Sequence, residues 1–361
     1  MKPKKVLLLI NNSVGLYIFR GALIRGLAKD HAVAASTPDN GFFPELEALG
    51  CRVIETPIDR RGVNPVTDLK LLLGYLRLLK KEKPELVITY TVKPNVYGGL
   101  ACRLAGIPYC ANITGLGTAF QKQGFLRKLV VFLYKTGLKK AKTVFFENSA
   151  NLRIFLDEGI LPEEKCRLLA GAGVDLQRFT PAPYPEAVTT RFLFIGRIMK
   201  EKGVGELFAA MERLRREGFD CTLDLLGESE EDFSQAIRDG EAAGWLRYRG
   251  YQTDVRPFIE GAHCFCLPSY HEGMANTNLE CAAMARPIIT SHIPGCREAV
   301  IEGKSGLLCR PQDADSLYEA MKAFLELAPE KQAAMGAAGR AHMEAVFDKQ
   351  KVVAQTIDAL K

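Results

Sequence analysis

At 361 residues, 47% apolar and 25% charged, the chain has the size and composition of a soluble protein with two ordinary domains. No run approaches the roughly 18 apolar residues a membrane span needs, and residues 1–13 have too short an apolar core for a signal peptide, so the protein is expected in the cytosol. The net charge of +6 is uneven, with 26 Lys and Arg against 15 Asp and Glu in residues 1–175, and 22 against 27 beyond. A basic first half suits an anionic surface or substrate, or is plain solvated surface, and no recognition motif accompanies it to support nucleic acid. The ten cysteines include no Cys-x-x-Cys pair and read as buried, reduced small hydrophobes. His263, Cys264, Cys266 and His271 match no zinc spacing.

Short apolar runs alternate with amphipathic segments from the start, the pattern of βαβ units and a parallel sheet. Residues 6–10 read as a strand, 11–16 as a loop, and 18–28 as a helix. Gly15 allows close backbone approach at that strand's carboxyl end. Strands at 86–89, 108–113, 143–146 and 166–169, with helices at 96–105 and 150–156, complete a first domain over residues 1–175. Residues 176–190, with Thr180-Pro-Ala-Pro-Tyr-Pro, lack periodicity and read as a linker. A second domain over 191–346 takes strands at 191–195, 222–226 and 247–250 and helices at 204–214, 317–325 and 331–346. Gly115-x-Gly117 completes no dinucleotide fingerprint, so NAD is unsupported.

The most informative stretch is 264–287, CFCLPSYHEGMANTNLECAAMARP. Four apolar residues form a buried strand, Pro268 and Ser269 stop it, and a short helix follows with Asn276 or Thr277 as N-cap. Such a helix aims unpaired N–H groups out of the sheet's carboxyl edge, where a phosphate can sit. Glu272 and Glu280 flank that place. Carboxylates repel phosphate, so these two suit the hydroxyls of a sugar or ribose. Thr277-x-x-Glu280 also fits a capping box, which leaves Glu280 with two readings. Upstream, Arg197 at a strand's end and Lys202 before a helix can converge on a diphosphate, or be ordinary surface cations. The acidic pair Asp313-x-Asp315 precedes a helix, where Asp commonly caps.

Glu272-x7-Glu280, preceded by Pro268-Ser269 and followed by Ala283-x-x-x-Pro287-Ile288-Ile289-Thr290, resembles the donor site of retaining family-4 glycosyltransferases, as does Gly196-Arg197 with Lys202-Gly203. The resemblance implies an α/β GT-B fold, two Rossmann-like domains with parallel sheets facing across a cleft. Residues 1–175 would be the acceptor side and 191–346 the donor side, with 347–361 a helix crossing back to the first domain. It implies that Glu272, with Arg197 and Lys202, is catalytic and touches the donor sugar. Glu280 would hold the ribose, the backbone of Gly273, Met274, Ala275, Asn276 and Thr277 the diphosphate, and Gly250 and Tyr251 the base, with Gly15 beside the donor. Arg20, Lys93, Thr114 and Gly115 would face the acceptor, Thr114 standing where many members have His.

Leu16-Tyr17-x-Phe19-Arg20 and Gly115-Leu116-Gly117-x-x-Phe120-x-x-Gln123-Gly124-Phe125 are similar to those of bacterial undecaprenyl-diphosphate-sugar N-acetylgalactosaminyltransferases and their capsule and O-antigen relatives. The implied reaction moves an N-acetylhexosamine or hexose from a UDP-sugar to a lipid-diphosphate-linked saccharide, with no metal and no cofactor. A UDP-sugar epimerase and a non-catalytic nucleotide-sugar binder are the alternatives. Residues 125–142, if helical, set Lys128, Lys135, Lys139 and Lys142 on one side. Leu126, Leu129, Val130 and Leu133 would then pack on the sheet, and Val131 and Phe132 would flank the lysines in water. Such a helix is either plainly solvated or docks on an anionic membrane surface, peripheral to the inner face of the plasma membrane.

Overall fold

A computed structural model describes residues 3–59, 64–116, 120 and 124–360. It divides into two compact units, residues 1–172 with 350–361 and residues 173–349.

In the first unit the strands are β1 (Lys5–Leu9), β2 (Ala32–Thr37), β3 (Cys51–Glu55), β4 (Leu86–Tyr90), β5 (Tyr109–Ile113), β6 (Val144–Phe146) and β7 (Cys166–Leu168). They pair in parallel in the order β3-β2-β1-β4-β5-β6-β7. The helices between them are α1 (Ser13–Ala28), α2 (Phe43–Ala48), α3 (Pro65–Glu82), α4 (Gly99–Ala105), α5 (Phe125–Leu138) and α6 (Ser149–Asp157). β1 is apolar throughout because both of its faces are covered. Leu7 and Leu9 join one core with Tyr75, Tyr134 and Phe155, while Val6 and Leu8 join the other with Leu23, Ile24 and Leu27.

In the second unit β8 (Thr190–Ile195), β9 (Cys221–Leu226), β10 (Leu246–Gly250), β11 (Cys264–Leu267), β12 (Ile288–Ser291) and β13 (Gly306–Cys309) form a parallel sheet ordered β10-β9-β8-β11-β12-β13. Its helices are α7 (Val204–Arg216), α8 (Ser234–Ala242), α9 (Arg256–Gly261), α10 (Asn276–Ala283), α11 (Ala314–Leu325) and α12 (Pro329–His342). α13 (Lys349–Ala359) begins at the second unit's last residue and runs into the first unit. There Val352 and Leu360 are buried beside α1, and Gly26 faces Ile357 and Val353. In both sheets the strand order reverses beside the unit's first strand. An open α/β sheet binds its ligand beyond the carboxyl ends of the strands at that point.

Four expectations are corrected. The segment 11–16 is not all loop: α1 opens at Ser13, because Asn12 Oδ1 accepts from Val14 N (3.0 Å) and Gly15 N (3.4 Å). Gly15 therefore lies in the first helical turn. Residues 176–190 are pinned to the second unit rather than left as a tether. The fully buried Arg286 donates to the carbonyls of Ala182 (3.1 Å) and Pro183 (2.7 Å), and to Ile259 (2.9 Å) and Glu260 (2.9 Å). Buried His263 accepts from Arg191 N (3.1 Å) on Nδ1 and meets Ala187 O (3.1 Å) with Nε2.

α5 is also turned relative to the expected packing. Val131 is buried and Leu126 and Leu129 are exposed, because Tyr134 and Leu138 enter the core and Gly137 lies against Val96. A Cβ on Gly137 would stand 2.6 Å from Val96 O, so only glycine permits that approach. Finally, α10 has no capping box. Ala275 takes the N-cap place with no side-chain bond, and Thr277 already lies inside the helix.

Candidate active site

The carboxyl edge of the second sheet gathers the charged residues. Arg197 follows β8, Lys202 lies on the turn before α7, and Glu272 lies on the loop from β11 to α10, so all three flank the strand reversal between β8 and β11. Lys202 Nζ donates to Glu272 Oε1 in a short ion pair of two mostly buried side chains, and Ser269 Oγ donates to the same oxygen at 2.8 Å. Ser269 is fully buried. Arg197 Nη1 donates to Glu230 Oε2 at 2.8 Å, in a pair that stays open to water.

The two loops are held against each other. Tyr270 N donates to Glu201 O (2.9 Å), and Tyr270 OH donates to Glu206 Oε1 (2.6 Å) on α7. Gly203 has φ +72°, and a Cβ there would stand 2.2 Å from Pro268 O. Both the left-handed backbone and the close approach therefore require glycine. Ala275 N donates to Gly295 O (2.7 Å), which anchors the loop just before α10.

With the cap position held by alanine, the cap side chain makes no bond to the first-turn amides of α10, the donors a helix offers to an anion. Gly273, Met274, Asn276 and Thr277 belong to this loop and turn. Glu280 stands one turn further on, partly exposed, and burial pushes its carboxyl up to about 7 against the pull of Lys349 and Arg178. Beside Arg197 a pocket of about 240 Å³ opens at the carboxyl ends of β8, β9 and β10, lined by Ile195, Leu226, Tyr251, Gln252 and Val255. Gly250 ends β10 at its rim, and Tyr251 is 61% exposed. An open, partly apolar pocket next to a cation suits a nucleotide base joined to phosphates.

In the first unit the residues expected to face an acceptor lie among elements at the carboxyl edge of the other sheet. Arg20 is buried, pairs with buried Glu147 just after β6, and stacks over Tyr90 with its guanidinium carbon 5.1 Å from the ring centre. Lys93 pairs with Asp68 at 2.8 Å. Thr114 and Gly115, both half-buried, follow β5. Gly117 and Gln123 of the quoted motif lie outside the described residues.

Sequence reasoning missed Glu147, Glu230, Ser269 and Tyr270. Only Ser269, three positions before Glu272, carries a local signal. Asp313 caps α11 through Ser316 N (2.8 Å), and Asp315 pairs with Arg213 (3.0 Å). Among the described residues no cluster of His, Cys, Asp or Glu is arranged to hold a metal ion.

Comparisons with known proteins agree with this layout. The family model "Glycosyl transferase 4-like" matches residues 5–148 and "Glycosyl transferases group 1" matches 189–327. The chain is 28% identical over 358 residues, 94% of its length and 93% of the relative's, to the N,N'-diacetylbacillosaminyl-diphospho-undecaprenol alpha-1,3-N-acetylgalactosaminyltransferase of Campylobacter jejuni. It is 27% identical, over 75% of its length and 74% of the relative's, to the UDP-Gal:alpha-D-GlcNAc-diphosphoundecaprenol alpha-1,3-galactosyltransferase of Escherichia coli. Among solved structures, Anabaena Alr3699/HepE in complex with UDP and glucose superposes with a TM-score of 0.82 at 16% identity, covering 99% of both chains. With both domain models matched and the architecture shared, the chain belongs to the family-4 glycosyltransferases of GT-B fold.

Proposed function

We propose that the chain moves a sugar from a UDP-sugar to a saccharide carried on a lipid diphosphate, with retention at the anomeric carbon and without a metal. The observation that carries this is the convergence of Arg197, Lys202, Glu272 and the uncapped start of α10 on one strand reversal, beside a base-sized pocket. The difficult step is departure of a nucleoside diphosphate, and preorganised cations and amides lower its cost without a divalent ion. One such group is worth about 3 kcal/mol of barrier. When phosphate oxygens take Lys202, Glu272 is freed to accept hydrogen bonds from the sugar hydroxyls. Thr114 is no base, so the acceptor proton goes to a phosphate oxygen of the donor. Relatives that act on diphospho-undecaprenol substrates support the acceptor class.

The test incubates the chain with UDP-sugars and a polyprenyl-diphosphate saccharide, with and without EDTA, and reads the anomeric configuration by NMR. An α-linked product formed in EDTA is expected. Conversion of the UDP-sugar without acceptor would sink transfer, and activity lost to EDTA but restored by Mg²⁺ or Mn²⁺ would sink metal independence.

The first unit docks on an anionic bilayer through α5, at the inner face of the plasma membrane where UDP-sugars are supplied. Phe125 (82%), Phe132 (64%), Leu126 (45%) and Leu129 (40%) are exposed on α5, where Lys128 and Lys135 are also exposed, as is Lys139 just after it. Apolar anchors and lysines on one helix suit that surface, each cation adding about 1 kcal/mol. Flotation with phosphatidylglycerol vesicles should recover the wild type and lose the triple variant Lys128→Glu/Lys135→Glu/Lys139→Glu. Equal recovery refutes the docking.

A further inference from the structure

The loop after β9, Gly227-Glu-Ser-Glu-Glu-Asp232, carries four acids beside the cationic turn that follows β8. Backbone bonds fix it there: Ile198 N donates to Glu228 O (2.8 Å), and Glu230 N donates to Ile198 O (3.1 Å). Glu231 accepts from Lys200 N (2.7 Å), and Glu230 takes Arg197. The same segment that positions Arg197 therefore also supplies its anion. A site made to receive a diphosphate gains nothing from a carboxylate in this place unless the carboxylate is exchangeable. The pair has that property, with side chains 47% and 34% exposed.

We infer that Glu230 is a built-in competitor for the donor's diphosphate, holding Arg197 in the empty site and yielding it when a nucleoside diphosphate enters. This rests on the donor reading above. The exchange substitutes one anion for another at Arg197, so its net gain is largest for a ligand that carries several phosphate oxygens. Inorganic phosphate, with less charge and no base for the neighbouring pocket, displaces the carboxylate poorly. Glu230 thereby protects the site from small anions at a modest cost in donor affinity.

The test measures calorimetric binding of UDP and of inorganic phosphate to the full chain, to Glu230→Gln and to Asp232→Asn. Asp232 lies on the same loop and accepts from Ser234 N (3.0 Å), a bond asparagine keeps. Glu230→Gln should bind UDP about two- to fivefold tighter, the range an exposed ion pair supports. Its phosphate affinity should rise as well, its dependence on salt should steepen, and donor KM should fall. Asp232→Asn should behave as wild type. Unchanged or weaker UDP binding in Glu230→Gln overturns the inference, and so does an equal gain in Asp232→Asn. If no form binds UDP, the donor reading itself falls and takes this inference with it.

Discussion

The two units carry their charges at the same edge of the same kind of sheet, and use them in opposite ways. In the first unit Arg20 and Glu147 are both buried and paired across 127 positions of chain, under the ring of Tyr90. In the second unit Arg197 and Glu230 keep 47% and 34% of their side-chain surface in water. A buried pair cannot trade partners, because separating it strands a charge away from solvent. A half-open pair can trade, because water covers the intermediate state and the pair itself is worth little. The first arrangement holds shape, and the second leaves room for a ligand to replace one partner.

That contrast is open to attack on both sides. Glu147→Ala leaves Arg20 buried and alone, so urea unfolding should show a loss of about 3–5 kcal/mol. A loss under about 1 kcal/mol, the range of exposed pairs, would erase the distinction. Arg197→Ala should instead leave unfolding nearly unchanged and lower kcat by about 100-fold, the effect of removing one transition-state cation. If it destabilises the fold as much as Glu147→Ala, the donor-side pair is structural too.

The smallest effect concerns Glu280, whose carboxyl sits near 7 through burial. A raised folded value means that the native state holds a proton the unfolded chain has already released. The contribution of Glu280 to stability is therefore full below about 4.5, falls as pH rises toward about 7, and is lost above it. Donor affinity should change across pH 6–8 in the wild type, and Glu280→Gln should flatten that profile. An identical profile in the variant would show that another group titrates.

The alternation of apolar runs made both parallel sheets legible, and the spacing from Arg197 to Glu280 made the charged edge of the second sheet legible, because each depends on residues near in sequence. What escaped depends on distant partners. Thr277 and Glu280 have the spacing of a capping box, yet the helix begins two positions earlier, where Ala275 N bonds Gly295 O, and the cap falls on alanine. Periodicity alone could not orient α5, since its inward face is chosen by Gly137 resting on Val96. Glu147 and Glu230 carry no local signal, because Arg20 and Arg197 lie far from them along the chain. The proline-rich stretch read as a linker, and its attachment comes from Arg286 on Ala182 and His263 on Ala187, 104 and 76 positions further on.

The first unit takes its last helix from residues that follow the whole second unit. On the ribosome, then, α1 waits with its Gly26 face bare while residues 173–349 are made, an interval of roughly ten to thirty seconds at 5–20 residues per second. The later-made unit holds all of its own chain before the earlier one does. The first unit's core is therefore the last to be sealed, by Val352, Val353, Ile357 and Leu360. Nascent chains halted before α13 emerges should be cut by protease within residues 1–172 more readily than released chains. Equal resistance would show that α1 needs no such cover.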